Sequence, residues 1–224
     1  RNSGTIDKYM GDCIMAFWNA PRKSDLHMEQ ATLALFQFKD ALAEINAKFV
    51  EIGFPEIDIG VGVNTGPCAV GAMGSKMRLD YSCIGDAVNL SSRLEGITKQ
   101  YGLWNCIGNN TAESVDHQFA LLEIDQVAVK GRSQPERIWT VVGEADMIHD
   151  PDYLALREAV DEGIAAYTLQ DWDKAEAAYN RAAEIKLDAL DPAGLRDAFM
   201  ERIVEYRENP PPADWDGVYV ATSK

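Results

Sequence analysis

Between residues 31 and 49 the apolar side chains Ala31, Leu35, Phe38, Leu42, Ile45 and Phe49 step by four and three, which gathers them on one face of a single long helix. Such a face needs an apolar surface to cover. The flanking segments are short β-prone runs separated by turn residues, so the helix is expected to lie on a sheet. Residues 5–18, TIDKYMGDCIMAFW, form two such runs broken by Gly11-Asp12, which predicts a hairpin with that dipeptide displayed at its tip.

After the helix, Ile57 to Asn64 and Cys68 to Met73 read as strands around a Thr65-Gly66-Pro67 turn, and Leu79 to Ile84 as a further extended run. Gly85-Asp86 then opens a second helix, with Asp86 at its N-cap and Ala87, Leu90, Leu94, Ile97 and Tyr101 as its buried stripe. Strand-like segments at Phe119 to Val129 and Arg137 to Val142 close this part of the chain. The order β-β-α-β-β-α-β-β predicts an α+β sandwich rather than a regular βαβ winding.

From about Gly143 to Pro151 the pattern turns wholly helical. Ala165, Tyr167, Asp171, Trp172, Ala175, Ala178 and Tyr179 resemble one tetratricopeptide-like helix pair, and a further helix is expected from Leu195 to Tyr206. A solenoid needs about three repeats to bury its own core, so this tail is expected to pack on the first domain or on a partner. Pro210 to Pro212 end it, and Trp215 to Val220 is expected to dock back as an extended segment. The expected divisions are 1–145, 146–209 and 210–224.

The chain carries 21 basic and 36 acidic residues, a formal charge of −15. Such a surface repels phosphate backbones, which argues against a nucleic-acid partner. An anionic nucleotide can bind only where metal ions or a few basic side chains reverse the field. Cys13, Cys68, Cys83 and Cys106 show neither CxxC spacing nor partnership with the three histidines, a pattern of reduced thiols in a cytoplasmic setting. No apolar run reaches the roughly 18 to 20 residues of a membrane helix, so no direct membrane contact is expected from this chain.

Singly, the chemical candidates are ordinary. Asp12 is a turn residue, Lys8 a strand lysine, Ser82 a strand serine, and Asn89 and Arg93 a pair four apart on one helix face. Jointly they are not. KYMGDCIMAFWNAP at 8–21, IGVGVNTGPCAVGAMGS at 59–75 and LDYSCIGDAVNLSSRLE at 79–95, in this order and spacing, resemble the class III nucleotidyl cyclase catalytic domain over about residues 1–143. The resemblance implies a ferredoxin-like sandwich whose first strand and helices precede Arg1, with the small helical tail appended.

It further implies an adenylate cyclase, in which ATP closes to cyclic AMP and pyrophosphate with two Mg²⁺ or Mn²⁺ ions. Asp12 would be one of two metal-bridging aspartates, with the Met10 or Gly11 carbonyl as a further donor. The second aspartate belongs to a Phe-x-Asp-Ile-like motif upstream of this chain, in a longer protein with a sensor or regulatory region. Lys8 and Ser82 would read adenine, Asn89 would orient the ribose, and Arg93 would meet the α-phosphate, for which a planar guanidinium is suited. Lys130 and Arg132, in VKGR, would contact the terminal phosphates. Guanylate cyclases of the family carry Glu and Cys where Lys8 and Ser82 stand, and adenylate cyclases more often Thr or Asp at the serine. The family acts as a head-to-tail homodimer, so Lys8 and Asp12 of one chain would serve opposite sites. The contrasting expectations are a cyclase-like module without turnover, and a helical tail that serves as an interaction scaffold.

Overall fold

In the computed structural model, which describes residues 2–75, 77–128 and 134–220, the chain opens on the expected hairpin, β1 (Thr5–Met10) and β2 (Cys13–Phe17). Helix α1 (His27–Glu51), the short strand β3 (Val61–Val63), a second hairpin β4 (Ala69–Ser75) and β5 (Arg78–Ile84), and helix α2 (Asp86–Thr98) follow. A 3₁₀ turn at Lys99–Tyr101 leads into β6 (Asn105–Gly108), α3 (Asn109–Val115), β7 (Phe119–Ala128) and β8 (Glu136–Glu144). Beyond them lie α4 (Pro151–Thr168), α5 (Trp172–Glu184), α6 (Ala193–Glu208) and β9 (Tyr219–Val220). The expected α+β class is what the chain adopts. None of its described helices is long and apolar enough to cross a membrane.

Five strands form the main sheet in the order β3-β6-β8-β7-β9, parallel at β3/β6 and β7/β9 and antiparallel between. Both of its faces are covered. Leu122, Ile124, Ile138 and Val142 pack with Leu90 and Leu94 of α2, Tyr153, Leu156 and Val160 of α4, and Phe199 of α6. Leu121 and Val141 turn the other way, onto Leu35 of α1 and Ala112 and Val115 of α3. Adjacent strand residues therefore serve opposite layers, as the period of two requires. Each fully buried Leu or Ile contributes about 1.5–3 kcal/mol.

The helices after β8 thus share the core of the sheet rather than stand apart. Asp150 caps α4 by accepting from the Asp152 and Tyr153 amides, with Pro151 in the first turn, and the Tyr153 hydroxyl donates to the Leu121 carbonyl at 2.7 Å. One polar cluster lies inside this interface. Arg202 of α6 donates to Asp125 of β7 at 2.5 Å and to the Tyr101 hydroxyl at 2.8 Å, and Tyr101 itself donates to Asp125 at 2.5 Å. The guanidinium also stacks 3.5 Å from the Tyr219 ring centroid. Burial opposes the charged guanidinium, but Asp125 and Tyr101 outweigh it and hold Arg202 above its ordinary pKa. The closing segment docks as expected, with Tyr219 and Val220 extending the sheet beside β7.

Four sequence expectations change. Residues 57–60 are not strand, because the Asn46 side chain takes both the Ile57 amide and its carbonyl, each at 2.9 Å. The short elements β6 and α3 were not anticipated. Asp86 is not the N-cap of α2: Gly85 is, with extended backbone, and Asp86 already sits in the first turn, where an acid is favoured by the helix dipole. Finally, the apolar face of α1 covers the sheet only at its N-terminal end. Ala31, Thr32 and Leu35 are buried, whereas Phe38 and Ile45 are 42% and 43% exposed. The sheet edge there is the three-residue β3, and neither hairpin is hydrogen-bonded to it, so among the described residues no strand lies beneath the rest of the face.

Candidate functional site

The first hairpin closes at Gly11-Asp12 with Gly11 at φ +67°, a conformation glycine adopts without steric cost. Asp12 stands exposed at that tip. The pairing of β1 with β2 is irregular: Ile6 faces Ala16 and Lys8 faces Met15, which leaves Asp7 as the extra residue of a bulge. In β5, Ser82 pairs with Gly71 of β4 and is 6% exposed.

The two hairpins lean together, with the Phe17 and Tyr81 rings 6.0 Å apart. Between the same two hairpins the Ser82 hydroxyl donates to Asp7 Oδ2 at 2.5 Å, and Lys8 Nζ lies 3.4 Å from Asp7 Oδ1. The Asp7 side chain has no exposed surface, while Lys8 keeps 41% of its own. Lys8 and Ser82, from separate hairpins, are therefore brought together on one buried carboxylate. Sequence reasoning missed Asp7. The available signal was an acid directly before Lys8 in an otherwise β-prone run, but simple strand alternation sends the two side chains to opposite faces.

Helix α2 is set against β3 at backbone distance. A Cβ on Gly62 would come within 2.1 Å of the Ser91 carbonyl and 2.4 Å of the Glu95 amide, so only glycine admits this approach. The Ser91 hydroxyl donates to the Gly62 carbonyl at 2.8 Å, and Asn64 Nδ2 to the Ala87 carbonyl at 3.1 Å. With Ala87, Leu90, Leu94 and Thr98 facing inward, Asn89 and Arg93 share the exposed side. Neither side chain forms a hydrogen bond or ion pair among the described residues, so both are available to a ligand. Lys130 and Arg132 lie outside the described residues.

The nearby thiols are not prepared for chemistry. Burial pushes the Cys83 thiol up, aided by Cys68 and the Asp7 charge, and burial does the same to Cys68, so neither is activated toward a thiolate. Asp12 is a hard oxygen donor of the kind Mg²⁺ and Mn²⁺ take. Among the described residues no group of three or more His, Cys, Asp or Glu converges to hold a metal, so this carboxylate could supply one ligand and not a shell. Two concavities, of about 320 and 400 Å³, lie elsewhere, beside Trp215 and between Lys99 and Asp188. In a single copy, Lys8, Ser82, Asn89 and Arg93 line neither.

Comparison with known proteins is consistent across sequence and structure. Residues 6–143 match the family model described as the adenylate and guanylate cyclase catalytic domain. An adenylate cyclase of Anabaena cylindrica is 38% identical over 144 residues, covering 62% of this chain and 28% of that protein. Adenylate cyclase 1 of Rhizobium meliloti is 34% identical over 142 residues, covering 63% and 21%. The chain thus spans less than a third of these relatives' length. Among solved structures, the guanylyl cyclase Cya2 superposes with a TM-score of 0.59 at 30% identity, over 66% of this chain and 74% of that one. The adenylyl cyclase CyaB from P. aeruginosa gives 0.57 at 31% identity, over 63% and 72%.

Proposed function

Because the chain belongs to the adenylate and guanylate cyclase catalytic domain family, we propose that it converts ATP to 3′,5′-cyclic AMP and pyrophosphate at a site shared between two copies. The observation that carries this reading is the convergence of Lys8 and Ser82 on Asp7, in a chain whose next element after β5, helix α2, presents Asn89 and Arg93 unengaged among the described residues. Adenine presents an acceptor at N1 and a donor at its 6-amino group. An ammonium and a hydroxyl oxygen match that pair.

The reaction joins the ribose 3′-oxygen to the α-phosphorus and breaks the bond to pyrophosphate, so positioning and charge stabilisation carry most of the catalysis. In this reading Asn89 orients the ribose, and Arg93 meets the charge that builds on the α-phosphate. Bound through Asp12 and ligands from outside the described residues, divalent cations would acidify the 3′-hydroxyl and neutralise the polyphosphate.

Two features support a head-to-tail dimer. In one copy Asp12, Asn89 and Arg93 lie on an open surface, and the two hairpins, which carry Lys8, Asp12 and Ser82, expose Ile6, Tyr9, Ile14, Leu79 and Ile84 at 45–67%, an apolar surface that a second copy would cover. ATP as substrate sets the domain on the cytoplasmic side. The test is a cyclic-nucleotide assay of the protein at its natural length with Mn²⁺-ATP and Mn²⁺-GTP. Cyclic AMP in excess of cyclic GMP is the expected outcome. Tight ATP binding with no product would make it a regulatory module instead.

A further inference from the structure

Asp7 is given no contact with substrate in the reading above, yet its buried carboxylate joins the two side chains that are given one. A carboxylate withdrawn from water is costly unless its charge and hydrogen bonds are used. The Asp7 side chain is fully enclosed; Oδ2 accepts from Ser82, and among the described residues Oδ1 has no hydrogen-bond partner, only the Lys8 ammonium 3.4 Å away. The bulge is what makes this possible. Regular pairing would send residues 7 and 8 to opposite faces, whereas the extra residue between the Ile6 and Lys8 pairs turns Asp7 to Ser82 while Lys8 stays within reach of it.

Building on the base-reading role proposed for Lys8 and Ser82, we infer that Asp7 is the positioning residue that fixes the donor and acceptor polarity of that pair, and with it the choice of adenine over guanine. A free serine hydroxyl both donates and accepts, so it serves a 6-amino or a 6-oxo group equally by rotating. A carboxylate only accepts. With its single proton committed to Asp7 Oδ2, Ser82 offers the base lone pairs alone, which suit an amino group and repel a carbonyl. The same carboxylate draws the Lys8 ammonium to its side as an ion pair, 3.4 Å from Oδ1, and leaves its N–H groups for an acceptor such as adenine N1. Guanine presents a donor at that position. One buried acid thus makes both readers single-valued.

The test compares wild type with Asp7→Asn in the protein at its natural length. It reads equilibrium binding of ATP and GTP, kcat/KM for each, and circular dichroism. The Asn amide can donate to Ser82 and release its proton toward the base. The ratio of ATP to GTP is expected to fall by about tenfold or more in both binding and kcat/KM, the worth of one hydrogen bond to a charged group, with part of the change a gain for GTP. Asp7→Glu, which keeps an acceptor, should recover ATP preference in part. Asp7→Ser, whose hydroxyl both donates and accepts, is a second variant expected to lose discrimination. Equal losses for both nucleotides, or an unchanged ratio, overturn the inference. The exchange Lys8→Glu with Ser82→Cys separates the two levels. If it shifts preference toward GTP while the Asp7 variants do not, Asp7 has no positioning role but the base reading stands. If the exchange itself leaves preference unchanged, the base reading fails and the inference with it.

Discussion

Replacing Arg202 by Met tests how the C-terminal helices are held to the sheet. Arg202 and Asp125 are 4% and 3% exposed, and the guanidinium is the only charged partner of that carboxylate in the described contacts. Removing one member of a buried pair costs about 3–5 kcal/mol, because the other charge is left uncompensated. That is a large share of the roughly 5–15 kcal/mol by which domains are stable, and for a chain of this size it corresponds to a fall in Tm of about 6–20 °C. Urea and thermal unfolding followed by near-ultraviolet circular dichroism would report it through Trp172 and Trp215, which pack with Tyr167 and Tyr206 at this interface. The deficit should depend on pH with a definite sign. Burial raises Asp125 above its ordinary value of 3.8 and Arg202 opposes that rise, so in the variant the folded state favours the protonated acid more strongly. Stability is then lost as pH rises from the ordinary value of 3.8 up through the raised one, and regained as pH falls back below the raised value. Arg202→Met combined with Asp125→Leu removes both charges and should recover most of the loss. A single variant that costs under about 1 kcal/mol, or a double variant no better than the single, would refute the account.

Further predictions concern the site. Lys8→Glu with Ser82→Cys reverses the donor and acceptor order, so the ratio of initial rates with ATP and GTP should move toward GTP; an unchanged ratio would show that the base is read elsewhere. Arg93→Ala should lower kcat by about 10²-fold, the usual effect of one preorganised contact, with little change in nucleotide affinity by titration. Gly62→Ala forces a methyl into the Ser91 carbonyl and should cost about 1–3 kcal/mol in urea unfolding, lowering turnover as α2 shifts; a neutral effect would show that α2 is not held at that distance. Deletion of residues 150–224 strips Tyr153, Leu156, Val160 and Phe199 from the core, so the near-ultraviolet signal of the remaining Trp18, Trp104 and Trp139 should collapse to that of the urea-unfolded chain. A truncated chain whose remaining tryptophans keep a urea-sensitive signal, with full turnover, would show the helices to be dispensable.

What could be read from the sequence was whatever local chemistry determines by itself. Gly11-Asp12 between two apolar runs admits little except a hairpin tip, and the stripe of Leu90 and Leu94 points α2 the right way wherever it docks. The phasing of that stripe also put Asn89 and Arg93 outward together. β6 escaped because its four residues, Asn-Cys-Ile-Gly, are all buried and show no alternation. It is a strand only because β3 and β8 flank it and Asn105 completes the ladder through the Val141 amide and carbonyl. The α1 face misled for the opposite reason: its periodicity was sound, but how much of an apolar stripe is buried depends on the surface beneath it, and β3 is three residues long.

The bulge at Asp7 belongs to a different category. No propensity or period marks it, since one extra residue in a strand leaves the composition unchanged while it reverses the facing of every side chain on one side of it. In the proposed reading its effect is decisive, because Lys8 and Ser82 could act on one base only if something couples two hairpins that, among the described residues, share no hydrogen-bonded ladder. The coupling is a carboxylate contributed by the residue that regular pairing would have turned away. Motif spacing therefore picks out Lys8 and Ser82, the readers proposed above, and a pairing irregularity that motif spacing cannot encode brings them onto one carboxylate. Among cyclases that keep a lysine and a short hydroxyl at these positions, base preference should follow the acid between them more closely than the hydroxyl itself, since the hydroxyl takes its polarity from whatever accepts its proton.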